Sequence, residues 1–180
     1  MREAYAAVAY PAPSIEDPDA VIAADVLQFA LAEGRASRLY REIKEKRQLA
    51  TSISASYPTH RYDSLFMIFA TTPPEKLDGC RLAIEEQLDR ARNELFSKDE
   101  IQRAKRLLVN AHLFSKETTD GASSVLGYYY TLTGGLEFEE QYQKRAEAVT
   151  AKDIREAARR IFDPSKAVYA EIHPKASGGQ

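Results

Sequence analysis

The stretch Ser37–Ser56, SRLYREIKEKRQLATSISAS, changes its period halfway along, and that change decides the fold. In its first part Leu39, Tyr40 and Ile43 recur at helical spacing, while Arg38, Arg41, Lys44, Glu45 and Lys46 occupy the other face. From Thr51 the period is two: Ile53, Ala55 and Tyr57 alternate with Ser52, Ser54 and Ser56. The segment therefore predicts an amphipathic helix, a short turn and a strand with one buried and one polar face.

Upstream, EAYAAVAY (residues 3–10) mixes small, aromatic and β-branched residues and ends at Pro11 and Pro13, which predicts a strand closed by prolines. Ser14 and Asp17 make an S-x-x-D start signal, and Pro18 suits a first helical turn. Val21, Ile22, Val26, Phe29 and Ala30 carry that helix to Gly34. Downstream, a turn over residues 58–63 leads to the apolar strand LFMIFAT (65–71), predicting an antiparallel hairpin. Thr72 and Glu75 with Pro73 and Pro74 read as a capping box opening a helix that runs to Phe96. Ser97 and Glu100 read as a second box opening a long helix. Further helices fit 120–132, 138–148 and 151–162, and AVYAEI (167–172) is a closing strand. Strands at both ends, a hairpin between them and helices elsewhere give an α+β class: a two-layer sandwich of a mostly antiparallel sheet with helices on one face. The whole chain, 1–180, reads as one domain, with 172–180 as a tail.

Composition narrows the function. Of 180 residues, 44% are apolar and 29% charged, as in an ordinary globular protein with a real core. A net charge of −2 gives no electrostatic reason to expect nucleic acid or an anionic membrane, and no apolar run is long enough for a membrane span. The basic run from Arg35 to Arg47 is interleaved with Glu42 and Glu45, which reads as a solvated, partly ion-paired surface. Cys80 is the only cysteine and reads as a small buried hydrophobe rather than a reactive thiol. Among Tyr128, Tyr129 and Tyr130, helical spacing points one inward and leaves the others to pack on neighbours.

The segment SRLYREIKEKRQLATSISA resembles one found in the pitrilysin/insulinase-type zinc peptidases, a family that includes the mitochondrial processing peptidases. There the pattern runs roughly S-R-L-Y-x-x-L-R-E-K-x-G-L-A-Y-S-V-S-A. Asp17-Pro18-Asp19, Gly34, Pro74-Glu75-Lys76-Leu77, Ala104-Lys105 and EAVTAKDIREAARRIFDPSKAV (147–168) extend the likeness from about Tyr5 to His173. It lies in the half that helps hold substrate, so it implies a non-catalytic half-domain whose fold matches the class read from the residues. Catalytic halves carry H-x-x-E-H, in which two histidines one helical turn apart grip zinc and the glutamate activates water. Here His60, His112 and His173 stand far apart, and His112 reads as a partly buried helical histidine. No cofactor is expected in this chain, and zinc is expected in a partner half.

The resemblance also implies a role for two positions. In the family an arginine and a tyrosine of the non-zinc half contact the backbone of bound peptide. Those positions fall on Lys44 and Thr51, and the usual glycine on Gln48. Lysine keeps the charge without the planar two-donor fork, and threonine keeps a hydroxyl on a much shorter side chain. Lys44 and Thr51 read equally as a weakened substrate clamp or as a solvated helix lysine and a strand-start residue. Tyr40 and Tyr57 stand close by as further contributors. The implied function is the non-catalytic domain of a zinc protease, inactive alone, lining a peptide chamber opposite the zinc-bearing sister half, with an extended peptide between them. That half belongs to the same parent chain or to a separate subunit; the start at a core strand predicts a cut piece, and pairing of the chain with itself is also open. The alternative is an assembly scaffold that kept the fold without a proteolytic role. The resemblance implies a soluble protein, of the periplasm or cytoplasm for a bacterial parent.

Overall fold

The computed structural model describes residues 3–174. Strands β1 (Ala4–Ala12), β2 (Ser52–Ser56), β3 (Ser64–Thr72) and β4 (Val168–Ile172) form one sheet in the order β2-β3-β1-β4, antiparallel throughout. Helices α1 (Pro18–Ala32), α2 (Leu77–Asn93), α3 (Lys98–Phe114), α4 (Thr119–Thr133), α5 (Glu137–Ala148) and α6 (Ala151–Ile161) supply the second layer. The predicted two-layer α+β arrangement and its central hairpin are present. The expected tail lies largely in residues 175–180, outside the described part.

Alternation in the strands sorts the two faces of the sheet. Ala4, Ala6, Val8 and Tyr10 of β1 point to the helices with Phe66, Ile68 and Ala70 of β3 and Ile53 of β2, and all are buried. Helices α1, α2 and α6 cover that face, and α3 and α5 pack on α1 from behind. Helix α1 is correspondingly apolar on most sides, burying Val21, Ile22, Val26, Leu27, Ala30 and Leu31 among others. Edge-to-face contacts of Phe162 with Tyr10 (5.4 Å) and Phe66 (5.1 Å) fasten the end of α6 to the sheet. Cys80 is buried in this core, and burial raises its thiol to about 11, which leaves it a protonated, inert hydrophobe as expected.

Two helix starts differ from the sequence reading. Asp17, not Ser14, caps α1: its Oδ1 accepts the Ala20 N–H at 3.3 Å. Thr72 makes no capping box with Glu75, because its hydroxyl donates to the Leu49 carbonyl at 2.6 Å; Pro74–Lys76 form a 3-10 turn and α2 begins at Leu77 without a side-chain cap. The cross-link from Thr72 to Leu49 outweighs the local cap because it ties β3 to the turn before β2. The box at Ser97 and Glu100 forms as predicted, and Thr150 and Asp153 make another at the start of α6.

Candidate functional site

The segment that decides the fold also builds the candidate site. After Arg38 and Leu39 the chain widens into a π-helix, Tyr40–Lys46, rather than continuing as an α-helix. The Arg47 N–H bonds back to the Glu42 carbonyl at 3.2 Å, and the Leu49 N–H to that of Ile43 at 2.8 Å. Wide turns of this kind are rare and concentrate at functional places. Gln48 then turns the chain with φ of 51°, among the described residues the one positive φ outside glycine. That is the left-handed conformation a glycine adopts freely and a side chain resists, which gives a physical reason for a glycine in the family pattern. The turn is held regardless: Lys76 Nζ donates to the Gln48 carbonyl at 2.9 Å, and Thr72 holds that of Leu49.

The basic face of this segment is not uniform, and this corrects the reading of a solvated surface. Arg38 is buried, 9% exposed. Its guanidinium forks onto Glu100, Nε to Oε1 at 2.7 Å and Nη2 to Oε2 at 3.2 Å, and lies 3.6 Å from the Phe96 ring centroid. Nη2 also donates to the Leu95 carbonyl at 3.3 Å. Burial alone raises the Glu100 carboxyl; the hydrogen bonds from Arg38 and the Ser97 N–H outweigh it and hold the group at about 2. Farther along, Lys46 pairs with Glu42 (2.6 Å), Arg47 with both Glu86 oxygens (2.8 Å each) and Arg35 with Glu45 (3.1 Å).

Lys44 is different. Its ammonium sits 5.1 Å from the Tyr40 ring centroid, and no carboxylate pairs with it among the described residues. A cation resting on an aromatic face, with three donors and no anion, is free to donate to a peptide carbonyl or a carboxylate. Thr51 is exposed, but its hydroxyl is engaged: Oγ1 lies 3.0 Å from Glu3 Oε1 and 3.1 Å from the Thr71 carbonyl. Its one proton serves one of them at a time, while its N–H bonds the Thr71 carbonyl at 2.8 Å. Lys44 and Thr51 flank the Gln48 turn, and no hydrogen bond joins them. Tyr40 belongs to the site through Lys44. Tyr57 does not: it is buried, its hydroxyl donating to the Pro13 carbonyl at 2.5 Å, because β2 turns it into the core against Phe66.

Among the described residues no group of three or more His, Cys, Asp or Glu side chains is placed to hold a metal. His112, helical and part-buried as read, stacks 4.3 Å from Tyr142 and approaches Glu139 at 3.3 Å; burial and the Lys116 charge lower its basicity although Glu139 works the other way. Tyr129 is the inward member of the tyrosine run, packing on Phe138 and Tyr142, and the Tyr128 hydroxyl donates to the Thr59 carbonyl. The sequence reading missed Asp25, which accepts the Tyr142 hydroxyl at 2.8 Å and which burial pushes up to about 7. Its signal was an acid set between the buried Ala24 and Val26 of α1. A groove of about 480 Å³ lies elsewhere, between α1, α5 and α6, but Asp19 and Asp17 already neutralise the arginines at its rim, Arg145 and Arg160.

Comparison with known proteins identifies the family. The model of the family described as "Peptidase M16 inactive domain" matches residues 1–108. An uncharacterized zinc protease of Rickettsia bellii is 28% identical over 86% of this chain and 37% of its own length. Another, of Streptomyces coelicolor, is 30% identical over 83% of this chain and 33% of its own. The chain thus spans about a third of the length of these curated relatives. A solved peptidase M16 inactive domain from Pseudomonas fluorescens superposes with a TM-score of 0.86 at 19% identity, over 100% of this chain and 43% of that one, and so shares the fold. The matching model spans more than half of the sequence: the chain belongs to the peptidase M16 inactive-domain family.

Proposed function

We propose that this domain is the non-catalytic wall of a peptide chamber, facing a zinc-bearing sister half that carries the hydrolytic chemistry. The observation that carries this reading is Lys44: its ammonium, with no carboxylate partner among the described residues, rests on Tyr40 at the position that the resemblance gives to the clamp. In the assembled chamber its ammonium donates to a backbone carbonyl of an extended peptide and Thr51 offers a hydroxyl acceptor, while zinc held by the other half would supply the hydrolytic chemistry. The π-helix holds Lys44 and the pinned Gln48 turn holds Thr51, so the domain contributes positioning rather than a reacting group. The test is peptide hydrolysis by the zinc-bearing half titrated with this chain. The reading expects activity to rise and saturate at equal amounts; a folded zinc half that stays indifferent to the chain sinks it.

One feature favours the second reading, an assembly scaffold. The Thr51 hydroxyl is already shared between Glu3 and Thr71, an arrangement that caps the sheet and needs no substrate. The scaffold reading expects Thr51→Ala to alter stability with no change in hydrolysis, and the titration separates the two.

A further inference from the structure

Asp25 stands in the middle of α1, between the buried Ala24 and Val26. Its Oδ2 accepts the Tyr142 hydroxyl at 2.8 Å, and among the described residues no cation pairs with it. The charged groups of the elements around it are committed elsewhere. Glu139 of α5 takes Lys116 and approaches His112 of α3, and Arg160 of α6 holds Asp17. What faces Asp25 instead is a set of phenols: Tyr57 after β2, Tyr128 and Tyr129 of α4, and Tyr142 of α5. Burial first, and the Asp25 charge after it, raises all four. Tyr142 is also where α1, α3, α4 and α5 meet. Its ring stacks on His112 at 4.3 Å and packs against Phe138 at 6.0 Å and Tyr129 at 6.3 Å. Tyr129 in turn touches Phe138 at 5.2 Å and His112 at 6.5 Å.

We propose that Asp25 is a pH-sensitive latch for α4: its neutral carboxyl keeps the tyrosine cluster closed, and its ionised form opens α4 away from α1 and α5 while the sheet stays folded. A carboxylate without a counter-ion is costly to hold away from water. Moving α4 is the least disruptive way to wet it, because α4 is the one helix of the six that buries no residue of its own. Outside the cluster around Tyr142, α4 is tied by the Tyr128 hydroxyl, which donates to the Thr59 carbonyl. It ends at Gly134, with φ of 76°, and Gly135, a turn that absorbs a swing. The sign of the effect follows from linkage. Burial raises the carboxyl from 3.8 to about 7 in the closed chain. Between those values opening releases a proton, so it becomes easier by about tenfold for each pH unit and levels off above about 7. His112 acts the other way: burial and the Lys116 charge lower it, so it gains a proton on opening, which favours opening as pH falls. The latch needs no zinc half and stands apart from the chamber role.

Amide hydrogen exchange of the chain between about pH 5 and about pH 9, corrected for the intrinsic rate, tests this beside Asp25→Asn, which keeps an acceptor for Tyr142 and cannot ionise. Protection along α4 should be lower than along β1 and β3, since α4 opens first. The ratio of α4 protection in the unsubstituted chain to that in Asp25→Asn should fall by about tenfold per pH unit up to about 7 and then stay level. The contribution of His112 is common to both chains and cancels in that ratio. A second measurement needs no variant: the carbon-13 shift of the Asp25 carboxyl should titrate with a midpoint near 7. Protection along α4 that is the same in both chains at every pH overturns the latch. So does exchange in which α4 and the sheet open together, or a carboxyl midpoint at the ordinary value of 3.8.

Discussion

Arg38 and Lys44 lie in one helical segment and carry the same charge, yet one is structure and the other is surface. Arg38 is sunk between α3 and the Phe96 ring, with Glu100 neutralising it through two hydrogen bonds. Lys44 has an aromatic face and, among the described residues, no anion. Partners, not residue type, separate the two roles: a buried cation with a forked carboxylate holds elements together, whereas an unpaired cation beside a pinned turn is available to a ligand.

The comparison breaks most visibly at its buried end. Arg38→Ala leaves Glu100 without its partner and is expected to cost about 3–4 kcal/mol, lowering the melting temperature by roughly 10 °C. A thermal or urea melt that moved as little as a surface substitution would remove the distinction.

Acid should act on the same end. Glu100 is held below its ordinary value of 4.5, at about 2. Its contribution is therefore complete above the ordinary value and is lost as pH falls toward 2; the shift corresponds to on the order of 3 kcal/mol. Asp25 has the reverse sign. It is raised from 3.8 to about 7, so the folded chain holds the proton more tightly and stability is lost as pH rises between those values. Asp25→Asn should therefore stabilise the chain at pH 8 and change little at pH 4, as read from urea midpoints. Equal effects at both pH values would show that the carboxyl does not titrate in that window.

How much of this was legible beforehand depends on the range of the interaction. The strand of β2 and the core of α1 follow from periodicity, which is local. The box at Ser97 and Glu100 was readable for the same reason, at three residues' separation. Burial of Arg38 was not, because its partner lies 62 positions away. An arginine on the polar side of a helix looks solvated until the helix that covers it is in place. The π turn was equally hidden, since the Leu39, Tyr40 and Ile43 stripe suits α and π windings alike. Placement of Lys44 and Thr51 came from resemblance; the unpaired state of one and the engaged state of the other came from the fold.

Smaller effects sharpen the open end. Gln48→Gly relieves a left-handed side chain at φ of 51° and should stabilise by about 0.5–1 kcal/mol. A loss instead would mean that the Gln48 side chain contributes more than its backbone costs. Lys44→Ala should change stability by no more than about 0.5 kcal/mol, in contrast to Arg38→Ala.

The most direct measurement sets Lys44→Ala and Lys44→Arg beside the unsubstituted chain in the hydrolysis titration with the zinc-bearing half. The account predicts that alanine lowers the saturating rate several-fold with the chain still folded and bound, and that arginine, which restores the two-donor fork, matches or exceeds lysine. Equal rates for all three chains would contradict it, leaving Lys44 a solvated lysine on a structural domain.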